Sequence, residues 1–337
     1  MATATLWQPR TYVPVVLVIF LAAIPGIISN EYVLHVLILI LFYVVLSQAW
    51  NVLAGFAGQF SLGHAAFFGV AAYTSTLAFV FYQISPWFGM FIGAGLAVLS
   101  SLIIGSLCFR LRGPFFSLVT IAFAEVLRLL FLNSGSLTGG PVGLLVPLLG
   151  DSPWNFQFLS RQPYYYIALS MALAALYTTY RIRNSQIGLR FIAIREDEDA
   201  ARCLGINTFR YKLLALAISV FFTALAGTFY AQYILFLHPD SVMSLDFSIE
   251  IALPAIVGGM GTIWGPVIGS IILTPLSEFT RAILGGTYAG AYLIIHGAIL
   301  ILIVVFLPKG VIDAISRRHQ VATRKPPVRL SHESAGS

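Results

Sequence analysis

The sequence REDEDAARCLGI, from Arg195 to Ile206, places four consecutive acids between basic residues in a chain of which only 9% is charged. The chain has 337 residues, of which 58% are hydrophobic, and a mean hydropathy of +0.89. A soluble protein of this composition could not bury its apolar side chains, so most of the chain must lie in lipid. The composition therefore predicts an all-α polytopic membrane protein. The charged segment is predicted to be a polar loop between two groups of membrane spans.

Apolar runs of about 20 residues, long enough to cross roughly 30 Å of hydrocarbon, follow one another along the chain. They predict about ten transmembrane helices in a permease domain of residues 1–308, with the eighth and ninth either two crossings or one broken pair. The long connection 133–162 is expected to be functional or packed on its neighbours. We expect the cytoplasmic tail, 309–337, to be disordered. The predicted spans are 12–29, 32–54, 66–83, 87–109, 114–132, 163–181, 211–236, 247–262, 264–284 and 288–307.

The placement of lysine and arginine predicts the orientation of these spans. With ten crossings and a cytoplasmic N-terminus, 16 of the 19 Lys and Arg residues fall on the cytoplasmic side, seven of them in the loop of about residues 182–211 and its edges. The positive-inside rule thus places both termini in the cytoplasm. The first span is read as uncleaved, with a removed signal peptide as the alternative. The basic balance follows from topology, and no nucleic acid partner is expected.

The loop is predicted to contain one short helix. The acids from Glu196 to Asp199 would occupy its first turn, where the helix dipole favours negative charge, and Gly205 would end it in the left-handed conformation. Ala200, Ala201 and Leu204 would form a small apolar patch beside the charged face. Such a patch suits insertion into a cleft of another protein, and the alternative is a solvated helix held at the membrane surface by its basic neighbours.

The segment Asp199-Ala200-Ala201, followed after three residues by Gly205, resembles the E-A-A-x-x-x-G signature of ABC importer permeases, with Asp in place of Glu. In those permeases a short cytoplasmic coupling helix docks on the ATP-hydrolysing subunit. Longer stretches resemble the LivM-type permeases of high-affinity branched-chain amino acid ABC importers. They are NSQIGLRFIAIREDEDAARCLGINTFRYKLLALAISVFFTALAGTFYA (184–231), AWNVLAGFAGQFSLGHAAFFGVAAYTS (49–75), LTGGPVGL (137–144) and IVGGMGTIWGPVIGSII (256–272).

The resemblance implies an importer in the inner membrane of a bacterial cell. It would be assembled from this chain, a homologous second permease, two ABC ATPase subunits and a periplasmic solute-binding protein. It also implies a coupling role for five residues: Asp199, Ala200, Ala201, Leu204 and Gly205. The sequence contains no Gly-Lys dipeptide, so it has no phosphate-binding loop and any ATP must be hydrolysed by a partner. It also lacks the H-E-x-x-H, C-x-x-C and G-x-S-x-G motifs. We therefore expect a permease that is not an enzyme and needs no cofactor or metal.

Two glycine-rich breaks, Gly55–Gly69 and Val257–Gly269, interrupt the apolar runs. Irregular backbone in a membrane must be buried in protein or line a wet cavity, and paired breaks are typical of a translocation path. The candidate path residues are Gln59, Ser61, His64, Gly259, Gly261 and Thr262. The alternative is close helix packing through small residues.

Ionisable residues also occur inside the spans: Glu125 with Arg128, Glu278 with Arg281, and His35 and His296. Each Glu–Arg pair is spaced i, i+3 and is expected to neutralise itself, and the histidines to make packing or interhelical hydrogen bonds. A secondary transporter without ATPases is the less favoured alternative, because ion coupling normally needs unpaired acids deep in the bundle. The resemblance favours leucine, isoleucine or valine as cargo, with urea, amides or other amino acids as alternatives.

Overall fold

The computed structural model describes residues 9–27, 30–111, 113–284, 297–298 and 310–312. Outside these residues lie Arg112, His296, nearly all of the predicted tenth span and nearly all of the tail. The described residues are mostly α-helical, with one π-helix, two short 3₁₀ helices, one antiparallel strand pair and an isolated β-bridge. The helices are α1 (Pro9–Ile27), α2 (Glu31–Asn51), α3 (His64–Tyr82), α4 (Pro86–Cys108), α5 (Pro114–Asn133), α6 (Gly135–Thr138), α7 (Gln162–Arg183), α8 (Gln186–Glu196), α9 (Glu198–Cys203), α10 (Thr208–Ile234), α11 (Pro239–Val242), α12 (Leu245–Gly258) and α13 (Gly265–Leu284).

Six helical segments of the described chain are long and apolar enough to cross a membrane. They correspond to α2 with a π-helical extension to Phe56, α3, α4, α5, α10, and α11 joined to α12. α7 and α13, with 22 and 20 residues, also coincide with predicted spans but are not among the six. The all-α polytopic class is confirmed, whereas the count of ten crossings stays a prediction.

The centre of the bundle is formed by α2, α3 and α10, whose apolar stretches are more than half buried. α3, α4 and α10 pack closely on one another, and α2 contacts α7, α12 and α13. Gly227 of α10 makes this packing possible, because a Cβ there would lie 2.4 Å from the carbonyl oxygen of Phe68. Small residues thus allow the helix backbones to approach, as expected where lipid gives helices little hydrophobic reason to associate.

The connection between α5 and α7 is ordered and packed on its neighbours. Its strand β1 (Leu144–Leu145) pairs antiparallel with β2 (Phe236–Leu237), which follows α10. Farther along, the indole Nε1–H of Trp87 donates to the carbonyl of Pro153 (2.8 Å). This connection therefore covers the end of the bundle opposite α8 and α9.

Candidate coupling helix and glycine-rich breaks

The charged loop contains two helices rather than the single one predicted. Glu196 ends α8, and Asp197 caps α9 by accepting hydrogen bonds from the backbone N–H groups of Asp199 (2.9 Å) and Ala200 (3.0 Å). Only Glu198 and Asp199 lie in the first turn of α9, so the prediction that all four acids do is wrong. The extended backbone of Asp197 separates the helices and frees its carboxylate to act as an N-cap.

The end of α9 was predicted correctly. Gly205 has a φ of +79° and donates its N–H to the carbonyl of Arg202 (2.9 Å), while Ile206 donates to the carbonyl of Ala201 (3.1 Å). These two bonds form a Schellman motif, in which a left-handed glycine satisfies the last helical carbonyls. A Cβ at Gly205 would meet no heavy atom, so the requirement for glycine comes from the backbone angle and not from crowding.

Glu198 attaches α9 to α10 through a closed group of polar side chains, the Glu198 cluster: Glu198, Arg202, Thr208 and Lys212. Its carboxylate accepts from Lys212 Nζ (2.5 Å), Arg202 Nη2 (2.5 Å) and Thr208 Oγ1 (3.1 Å). Lys212 is only 2% exposed and the Glu198 side chain 18%. Burial alone would raise the pKa of Glu198, but the hydrogen bond and charge of Lys212, with Thr208 and Arg202, lower it overall. The cluster thus fixes α9 in place.

The predicted apolar patch is divided between two sides of α9. Ala201 is buried against the protein, whereas Ala200, Leu204 and Gly205 are exposed, Leu204 to 79%. The division is a correction to the prediction, and it arises because α9 lies on α8 and α10 along the side that carries Ala201 and Glu198. Leu204 and Gly205 line a surface cleft together with Arg190 and Arg210. This exposed surface is accessible to a partner protein.

Arg195, near the end of α8, reaches the first glycine-rich break. Its Nη1 donates to the carbonyl of Gly55 (2.8 Å), which lies in the π-helix Val52–Phe56 that follows α2. α8 also lies against Gly58, where a Cβ would be 2.9 Å from Arg195 Cγ, and a Cβ at Gly261 would be 2.7 Å from Arg195 Nη1. One side chain therefore touches both breaks, although it lies 140 residues from the first in sequence.

The two breaks are also joined directly by Asn51, the last residue of α2. Its Oδ1 accepts from the N–H of Gly261 (2.8 Å), and its Nδ2 donates to the carbonyl of Thr262 (2.8 Å). The Asn51 amide therefore pairs with two backbone groups of the turn between α12 and α13, the N–H of Gly261 and the carbonyl of Thr262. The breaks are buried only in part, since Gly55 and Gly259 are buried whereas Gly58 and Met260 are exposed.

The structure gives the six candidate path residues different surroundings. Ser61 and His64 are buried, and His64 Nε2 is hydrogen-bonded to Ser219 Oγ of α10 (2.7 Å). Thr262 caps α13 by accepting from the N–H of Gly265 (2.9 Å). Gly259 is buried, while Gln59 and Gly261 are partly exposed. A role in the translocation path stays a prediction for all six residues.

Both predicted Glu–Arg pairs form. Arg128 pairs with Glu125 and also with Asp240 of α11, and Arg281 pairs with Glu278 (3.2 Å). His35 makes an interhelical hydrogen bond with Tyr233, as predicted. Sequence reasoning missed Glu250 in α12, whose carboxylate accepts from the Tyr43 hydroxyl (2.9 Å), and it missed the linking roles of Asn51 and Arg195. Asn51 carried a signal, since a buried amide directly before a glycine-rich break needs polar partners.

These features define a polytopic integral membrane protein in which a charged loop contacts two broken helices. This arrangement is typical of a membrane transport protein. A model of the family described as the permease component of branched-chain amino acid transport systems matches residues 32–304. The chain belongs to this family.

The chain is 29% identical over 320 residues to the high-affinity branched-chain amino acid transport system permease protein LivM of Escherichia coli, covering 88% of this chain and 74% of that protein. The LivH permease protein of Salmonella typhimurium is 29% identical over 203 residues, which cover 58% of this chain and 64% of that protein. The nucleoside ABC transporter permease protein NupC of Lactococcus lactis is 26% identical over 234 residues, 66% of this chain and 71% of its own. No solved structure matches the chain.

Proposed function

We propose that this chain is one permease subunit of an ATP-driven importer in the inner membrane of a bacterium, with both termini in the cytoplasm. It would work with a homologous second permease, two ABC ATPase subunits and a periplasmic binding protein that delivers leucine, isoleucine or valine. Its similarity to both LivM and LivH proteins supports a paired permease, and the basic residues around α8 and α9 support a cytoplasmic position for that loop.

The observation that carries the proposal is the connection from α9 to the broken helices. α9 exposes Ala200, Leu204 and Gly205 while the Glu198 cluster holds it on α10. Three residues before the start of α9, Arg195 contacts both glycine-rich breaks. Force applied to the exposed side of α9 by an ATPase would therefore reach the breaks through short, rigid contacts.

Leu204→Asp tests the docking surface. Leu204 is exposed, so the variant should fold and insert normally but lose its ATPase partner, because a carboxylate would have to be buried in the partner's cleft. Leu189→Asp is the matched control, since Leu189 is an exposed leucine on α8 outside α9. Co-purification of the ATPase subunits and ATP-dependent uptake in proteoliposomes are the readouts, and equal behaviour of the two variants would refute docking on α9.

Energy coupling separates this importer from a secondary transporter. Uptake by intact cells should fail when ATP is depleted and persist in a protonophore, since ATP hydrolysis and not an ion gradient drives it. Uphill uptake by the purified chain alone in liposomes would overturn the proposal.

The cargo is tested through the binding protein that co-purifies with the complex. A ligand screen on it should show tight binding of leucine, isoleucine and valine. Nucleosides belong in the same screen, because one relative carries that name, and so do urea and short amides. Preference for any of these would change the cargo while leaving the importer assignment intact.

A further inference from the structure

The exposed side of α5 carries charge in the middle of a predicted span. Only 17% of its apolar stretch is buried, against 33–61% for the other candidate spans of the described chain. Glu125 is the twelfth of its 20 residues and lies in an exposed stripe with Leu118, Ala122 and Leu129. The Glu125 side chain is 48% exposed. Half of a carboxylate therefore faces outward about halfway along the helix.

That surface is poorly suited to lipid. A charged side chain at the centre of a membrane helix costs about 2.5–3.5 kcal/mol even on insertion scales, and charged residues at this depth normally face protein or a water-filled cavity. α4 offers the contrast, because its 23 residues contain no charge and its exposed stripe, which includes Phe91, Leu99 and Ile103, is wholly apolar. α4 is suited to face lipid, and α5 is suited to face water between protein subunits.

Glu125 belongs to a second group of charges, the Glu125 cluster: Glu125, Arg128 and Asp240. Arg128 donates from Nε to Glu125 (2.8 Å) and from Nη1 to Asp240, whose side chain is 51% exposed. Two carboxylates around one guanidinium leave one negative charge in excess. His238 Nδ1 lies 3.8 Å from Asp240 but adds positive charge only when protonated. Both carboxylates keep free lone pairs on their exposed sides.

Two buried hydroxyl groups on α3 also indicate a polar site on this side of the bundle. Tyr73 of α3 is fully buried and packs edge-on against Phe131 of α5, and α3 contacts both α5 and α11, the helices that carry the cluster. The Tyr73 hydroxyl has no hydrogen-bond partner in the described part of the chain, nor has that of Thr76 one turn later. Buried hydroxyls are normally paired, so unpaired ones on the helix that packs against both α5 and α11 indicate a polar site that water or a ligand completes.

We propose that the exposed side of α5 lines the translocation path and that the Glu125 cluster takes the ammonium group of an amino acid in transit. The excess negative charge attracts the ammonium group, and Arg128 retains N–H donors that suit the cargo carboxylate. The site is open and shallow, so it holds cargo briefly, as suits a subunit that passes on what a binding protein has selected. This inference rests on the proposed importer function.

Cysteine labelling in the assembled transporter tests where this side of α5 faces. In a Cys203→Ala background, which removes the exposed native thiol, Ala122→Cys is compared with Leu99→Cys on α4. Ala122 lies one turn before Glu125 and leaves the cluster intact. A charged, membrane-impermeant methanethiosulfonate reacts with thiolates in water, so Ala122→Cys should label at least about tenfold faster. Equal, slow labelling of both would show that α5 faces lipid and would overturn the proposal.

The ammonium site has its own test. Saturating leucine with its binding protein and ATP should slow the labelling of Ala122→Cys, and Glu125→Gln should lower maximal uptake about tenfold, the effect of one charge-assisted hydrogen bond. Glu31→Gln, which alters an exposed ion pair with Arg161 at one end of α2, is the control and should retain uptake. Fast labelling without protection, together with normal uptake in Glu125→Gln, would refute the ammonium site but not the path. Failure of the importer assignment would appear separately, as loss of ATP-dependent uptake in the unmutated complex.

Discussion

The Glu198 cluster and the Glu125 cluster are built from similar parts and differ in how they are closed. Each places a glutamate about one helical turn from an arginine and adds a charged residue from another helix. Around Glu198 the added residue is a buried lysine, and a threonine supplies a further hydrogen bond. Around Glu125 the added residue is a second acid and both carboxylates stay half exposed.

The difference teaches that sequence spacing alone does not distinguish a structural ion cluster from one that can receive a ligand. Spacing predicts the Glu–Arg contact in both places, but burial and charge balance decide what it does. A closed cluster of one acid and two bases holds two helices together. An open cluster with an excess of acid can exchange partners.

The largest effect is expected from removing Lys212 from the Glu198 cluster. Lys212→Met would leave the Glu198 carboxylate largely buried with only Arg202 as a charged partner, and we expect a loss of about 3 kcal/mol, the lower end of the cost of breaking a buried pair. Thermal unfolding in detergent measures the stability, and uptake should be lost with it. Arg210→Met, which removes an exposed base in the same turn of α10, serves as the control. Equal melting temperatures would show that the cluster does not fix α9.

The second largest effect is expected from removing the contact between Arg195 and the first glycine-rich break. Arg195→Met removes the hydrogen bond to Gly55 and should lower uptake about tenfold, consistent with a hydrogen bond from a charged group. ATP hydrolysis by the bound ATPases should continue, so the number of ATP molecules used per cargo should rise. Arg195→Lys should restore part of the coupling, because an ammonium group can reach one carbonyl without the planar fork of arginine.

Arg183→Met, at an exposed position at the end of α7, controls for the loss of positive charge on this side of the protein. If Arg195→Met lowers hydrolysis and uptake in equal proportion, the residue is structural and does not transmit movement.

A smaller effect should appear as the pH is lowered. The pKa of Glu198 is below its usual value in the folded protein, so its contribution to stability is complete above the ordinary glutamate pKa of about 4.3 and is lost as the pH falls through the lower folded-state pKa. Limited proteolysis of the loop in detergent, from neutral to acidic pH, should show α9 released only in acid. Glu198→Gln should abolish that pH dependence, and an unchanged profile would contradict the assignment.

The smallest effect on stability is expected at the open cluster. Glu125→Gln should change the melting temperature little, within about 1 kcal/mol of stability, because a half-exposed ion pair contributes little to folding. The same substitution at Glu198 should cost clearly more. Comparable losses for the two variants would remove the distinction between a closed and an open cluster.

Much of the fold followed from local sequence. Hydropathy placed α3, α4 and α5 within two residues of their observed ends, since the bilayer imposes a length on each apolar run. Gly205 was predicted because a left-handed helix end favours glycine wherever it occurs. These features depend on neighbours in sequence, which is why sequence reveals them.

The parts that were missed depend on residues far apart in the chain. Arg195 contacts Gly55 and the region of Gly261, and Asn51 pairs with Thr262, although no spacing rule connects these positions. The apolar patch of α9 was misjudged for the same reason, because the contacts with α8 and α10 decide which of its alanines is buried. His64 is a candidate path residue by composition, and its buried hydrogen bond to Ser219, 155 residues away, could not be predicted from the sequence.

The thiols of the chain have a practical consequence. Cys203, the last residue of α9, is exposed, whereas Cys108 at the end of α4 is buried. A maleimide dye added to the native sequence will therefore attach to the helix that faces the proposed ATPase, with no engineered position required. Fluorescence quenching of that dye would report the approach and departure of the nucleotide-binding partner in real time.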